Sequence, residues 1–123
     1  MNRTVRLAAA FALVLFASGR AWSDESGKQI FQSTCGICHS TEPGQNKLGP
    51  SLAGVVGRKS GSVPNFSYSA AMKNAHITWS DRTLDRYIAD PKAVVPGNKM
   101  LFVGLKNADE RHAVIVYLES LKS

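Results

Sequence analysis

The sequence predicts an all-α domain: three main helices plus short helices, joined by long loops that wrap one large apolar group. Two observations predict it. Apolar residues recur at helical spacing near both ends of the chain and once between them. The stretches Ser40 to Tyr68 and Pro91 to Lys106 are rich in Gly and Pro and keep no period of either kind. A loop of roughly thirty residues is out of place in a small domain unless it encloses something that substitutes for side-chain core.

Taken in order, Met1 to Ser23 reads as an export signal. Arg3 and Arg6 stand at the front, an apolar run follows from Leu7 to Ala17, and Ala21-Trp22-Ser23 places small residues where cleavage needs them. The apolar run falls short of the ~20 residues that span a bilayer. Cleavage after Ser23 leaves residues 24–123 as one domain, without internal repeats. The full chain carries fifteen bases and nine acids, a net charge of +6; losing Arg3, Arg6 and Arg20 with the signal leaves twelve bases and a net +3. That excess suits acidic protein partners or an anionic surface. Nucleic acid would call for a cluster of Arg and Lys interleaved with aromatics, which the sequence lacks.

The first helix is expected over Gly27 to Cys38, with Ile30, Phe31 and Thr34 leading into the cysteines. Ser69 to Asn74 can form a short helix. Thr78-Trp79-Ser80-Asp81 starts the next, which buries Leu84, Tyr87 and Ile88 and stops at Asp90-Pro91. The last helix starts at Asn107-Ala108-Asp109-Glu110, a capping-box-like pattern, and carries one apolar stripe of Val114, Tyr117, Leu118 and Leu121. A crossing of the first and last helices would put Gly27 and Phe31 against Tyr117 and Leu118, the glycine letting the backbones approach.

The chain has only two cysteines, and they fall in Cys35-Gly36-Ile37-Cys38-His39, the C-x-x-C-H pattern of covalent haem attachment. Residues three and four apart share a helix face, so both thiols can add to the haem vinyl groups while His39 lies below the iron. Other readings fit less well. A thioredoxin-like pair needs a βαβ setting, zinc needs a fourth ligand from distant histidines, and a structural disulfide needs no histidine and would close a very small loop.

With Gly49-Pro50, Tyr68, Trp79 and Pro96-Gly97-Asn98-Lys99-Met100 added, the chain resembles the class I c-type cytochromes of the mitochondrial and purple-bacterial type, from about Gly27 to Leu121. The resemblance implies the cytochrome c fold and one haem c, bound at Cys35 and Cys38. It also implies metal ligation by His39 and Met100, a thioether opposite an imidazole that favours ferrous iron. On the bare sequence Met72, His76 and His112 compete for the sixth position. The same resemblance gives the Pro50 carbonyl as acceptor for the second His39 nitrogen, Arg58, Tyr68 and Trp79 as donors to the haem propionates, Tyr87 as the hydroxyl near the methionine sulfur, and Phe102 as cover for the haem edge. Asn98 and Met72 depart from the mitochondrial pattern, and the loop between His39 and Pro50 is one residue shorter.

The expected function is electron carriage by a soluble periplasmic monomer, at most peripheral to the membrane, that exchanges electrons with an acidic oxidase, reductase or reaction centre and performs no substrate chemistry. A haem enzyme or gas sensor would need an open sixth position, against which Met100 argues. A fixed subunit of a larger oxidoreductase would need an apolar docking patch.

Overall fold

The computed structural model describes residues 12–15 and 24–122. Apart from residues 12–15, which are irregular and exposed, the expected export segment, Met1 to Ser23, lies outside the described residues. The described residues form five helices: α1 (Asp24–Thr34), α2 (Ala70–Lys73), α3 (Asp81–Ala89), α4 (Pro91–Val94) and α5 (Ala108–Ser120). They contain no strand beyond an isolated antiparallel bridge between Lys59 and Thr78.

Local chemistry sets the helix starts. Ser80 caps α3 by accepting from the Thr83 N–H, while the Thr83 hydroxyl accepts from the Ser80 N–H, a capping box in which Thr takes the usual place of Glu. Asn107 Oδ1 accepts from the Glu110 N–H at 3.0 Å, which caps α5 from one side only. The expected loop from Pro91 onward needs correction. Asp90 ends α3 and at once caps α4, its carboxylate accepting from the Ala93 N–H, and Pro91 takes the first helical position, where a missing N–H costs nothing. The first helix likewise begins three residues before Gly27 and ends at Thr34, short of the cysteines.

The terminal helices cross at Gly27. A Cβ there would collide with the Ala113 carbonyl and press on Tyr117, so only glycine permits this approach. Phe31 and Tyr117 meet beside it with ring centroids 5.4 Å apart. α5 packs against both α1 and α3 and buries Ala113, Val114, Ile115 and Leu118. The core continues through Leu84, Tyr87, Ile88, Trp79, Val55 and Val95.

The long Ser40–Tyr68 segment is held by both backbone and side-chain bonds. Gly57 N–H donates to the Trp79 carbonyl and Trp79 N–H to the Arg58 carbonyl, which ties the segment to the entry of α3. Asn46 bridges the loop internally, donating to the Pro64 carbonyl at 3.1 Å and accepting from the Ser51 N–H at 3.0 Å. Arg111 of α5 binds Asp85 of α3 at 2.8 Å and donates to the carbonyls of Leu105 and Lys106, fastening the end of the Pro96–Lys106 segment.

Candidate functional site

After α1 the chain continues through the cysteine motif as successive turns rather than regular helix. The Phe31 carbonyl accepts from both Cys35 and Gly36, and the Cys35 carbonyl from both Cys38 and His39. The two thiols are free and half-buried. Burial, and then the neighbouring Cys38, push the Cys35 thiol up to about 11, so it stays protonated in neutral solution.

His39 is fixed by the loop that returns over it. Gly49 N–H donates to the Cys38 carbonyl, and His39 Nδ1 lies 2.7 Å from the Pro50 carbonyl. A carbonyl only accepts, so Nδ1 carries the proton and Nε2 keeps its lone pair. Burial lowers the His39 pKa, partly opposed by that hydrogen bond, and the ring is neutral as a metal ligand must be. Gly49 is buried under the ring, and a Cβ there would strike it.

Met100 is half-buried against the core together with Leu52, Met72, Ile77 and Phe102, whereas His76 and His112 are exposed. Of the residues expected at the propionates, Arg58 and Trp79 are brought together by the backbone bond between them. Arg58 and Tyr68 are near enough to affect each other's ionisation. Both already have one protein partner: Arg58 Nη1 donates to the Ala53 carbonyl at 3.2 Å, and the Tyr68 hydroxyl accepts from the Val63 N–H at 3.0 Å. Trp79 packs on Tyr87 with ring centroids 4.9 Å apart.

Trp79 and Tyr87 test whether these residues fit a haem. These residues are 7% and 8% exposed, yet neither the indole N–H nor the phenol hydroxyl has a hydrogen-bond partner among the described residues. No fully buried polar side-chain atom among the described residues lacks a partner, so these two border accessible space rather than sealed core. Burial pushes Tyr87 up to about 12, which keeps its hydroxyl a donor. A neutral imidazole with a free nitrogen, two unbonded thiols, a thioether and two waiting donors suit a haem with anionic propionates.

Sequence reasoning missed two roles. Gly49 was part of a motif, but its seat beneath the ring leaves no compositional mark beyond a glycine before a proline. The partners of Asn98 were also hidden, because all of them are backbone groups.

This constellation defines a protein that carries one covalently attached haem on a C-x-x-C-H turn inside an α-helical shell. The cytochrome c family model matches residues 25–122. The chain is 54% identical over 88 residues to cytochrome c2 iso-2 of Magnetospirillum molischianum, covering 72% of this chain and 91% of that one. It is 51% identical over 109 residues to cytochrome c2 of Rhodomicrobium vannielii, covering 87% of this chain and 86% of the relative. Among solved structures, cytochrome cH from Methylobacterium extorquens superposes with a TM-score of 0.74 at 35% identity, covering 80% of this chain and 98% of that one. The chain therefore belongs to the cytochrome c family, electron carriers rather than enzymes, and binds haem c through Cys35 and Cys38.

Proposed function

We propose that this electron carrier works as a free periplasmic shuttle whose iron is held by His39 and Met100. The observation that carries the ligand assignment is the Nδ1 bond from His39 to Pro50, which aims a neutral, tautomer-fixed imidazole with one free nitrogen. The bound haem supplies a one-electron iron couple. Pro50 holds the imidazole's orientation and basicity, and Met100 would supply the second protein ligand, leaving no position for oxygen or peroxide. Arg58, Tyr68 and Trp79 offer donors to the propionates, Tyr87 offers one near the thioether, and the apolar lining limits water. The export reading rests on Arg3, Arg6 and the Leu7–Ala17 run, with cleavage after Ser23.

Localisation and attachment are each open to direct test. Osmotic-shock fractionation should release the coloured protein with the periplasmic fraction, and its N-terminal residue should be Asp24. Colour should also survive acid-acetone extraction and denaturing electrophoresis. Cys35→Ser or Cys38→Ser should lower the yield of holoprotein severely, because a chain that gains stability from its cofactor loses it when attachment fails. Full yield with haem that washes out would rule out covalent attachment.

Acidic redox proteins are the partners we propose. Lys28, Lys47, Lys92 and Lys99 are exposed. Lys28 and Lys47 line one cleft with His39, and Lys92 lines another with Leu101, Phe102 and Val103. The bimolecular rate with an acidic oxidase, reductase or reaction centre should fall steeply as added salt shortens the Debye length from ~10 Å at 0.1 M to ~3 Å at 1 M. Lys28→Glu or Lys99→Glu should slow association more than it shifts the potential. A rate flat in ionic strength would leave docking to the exposed apolar residues, Leu101 and Val103 among them.

A further inference from the structure

Asn98 is one of only two buried polar residues in the described core, at 6% exposure. Val95-Pro96-Gly97-Asn98 forms a tight turn closed by Asn98 N–H to the Val95 carbonyl, with Gly97 at φ +88°, the conformation that asks for glycine third in a type II turn. The side chain then reaches both ways. Nδ2 donates to the Pro91 carbonyl at 3.0 Å and the Val95 carbonyl at 2.8 Å, and Oδ1 accepts from the Met100 N–H at 2.9 Å. Two carbonyls on one side and an N–H on the other leave no ambiguity about which end is the amide nitrogen. Both donors are spent inside the protein.

The geometry points to Asn98 as a positioning residue: a latch that ties the Met100 backbone to both ends of α4, at the Pro91 and Val95 carbonyls, and so would hold the thioether on the iron. The inference rests on Met100 being the axial ligand. A hydroxyl here would have a single proton to donate and could not bond both carbonyls, whereas the amide bonds both and still accepts from the Met100 N–H.

Holoprotein variants Asn98→Ala and Asn98→Asp test it, with Ile115→Val, a cavity in the buried face of α5, as the control for general destabilisation. The readouts are the near-infrared sulfur-to-iron band, the reduction potential and the rate of cyanide binding to the ferric form. Alanine removes all three bonds, and aspartate turns an acceptor toward two carbonyls. Cyanide should bind about tenfold faster or more in both, a factor equal to about 1.4 kcal/mol, while Ile115→Val stays near wild type despite a lowered unfolding midpoint. Equal cyanide rates in Asn98→Ala and Ile115→Val, with the band intact, would overturn the latch and leave Met100 ligation standing. A wild-type ferric protein without the band would overturn both.

Discussion

Replacing Met100 with alanine should abolish the near-infrared sulfur-to-iron band and lower the reduction potential by roughly a few tenths of a volt, a substantial part of the ~0.8 V that axial ligands command. The direction follows from chemistry. A thioether stabilises ferrous iron, and the water or weaker ligand that would replace it favours the ferric charge. Cyanide should also gain a free coordination position. The fold should survive, because Met100 is only half-buried at the edge of the core and its truncation lies below the ~2–5 kcal/mol of a fully buried Met→Ala change. Unchanged spectra and potential would transfer the role elsewhere, and Met72→Ala in the same assay would be the next test, since Met72 shares the half-buried apolar lining and His76 and His112 are exposed.

Gly27→Ala should cost about 3 kcal/mol or more, a large share of the ~5–15 kcal/mol that holds a domain together. In an open helix the same change would help by up to ~1 kcal/mol, because alanine loses less backbone freedom on folding. Here the added methyl has no room: the Ala113 carbonyl and Tyr117 occupy its position, and both belong to α5. Either the helices separate, opening the Phe31–Tyr117 contact, or the backbone of α1 bends. Chemical denaturation of the holoprotein should show a sharply lower midpoint, with faster cyanide binding as the pocket loosens. A midpoint at or above wild type would mean that the crossing is wider than described.

The same crossing illustrates what the sequence makes legible. A glycine in an otherwise helical stretch, with Phe31 one turn on, marked the contact, and Tyr117 was its expected partner. The cysteine turn was equally readable, because its spacing is itself the chemistry. Two features were harder. The stripe expected on α5 was a single face, but Ala113, Val114 and Ile115 are buried in succession, because α1 and α3 pack on different sides of the same helix. Periodicity registers one buried face, and a helix with two looks almost unpatterned. α4 escaped notice because one turn of helix is too short to show a period, even though Asp90 and Pro91 form a good start. At the site, Arg58, Tyr68 and Asn98 each bond to carbonyls or N–H groups, those of Ala53, Val63, Pro91, Val95 and Met100. Backbone partners carry no residue identity, so only the folded chain reveals them.

The position of α5 bears on the rate of electron exchange. Neither proposed ligand lies on it, yet both are referred to it: α1, which leads into the Cys35–His39 turn, crosses it at Gly27, and the segment that follows Met100 is pinned to it by Arg111 through Leu105 and Lys106. A carrier gives up and takes back an electron repeatedly, and each transfer must reorganise whatever nuclei respond to the change in iron charge. Ligands hung from separate, independently moving parts would add their relative motion to that cost. With α5 as a common frame, a displacement of one side is passed to the other, which restrains that relative motion.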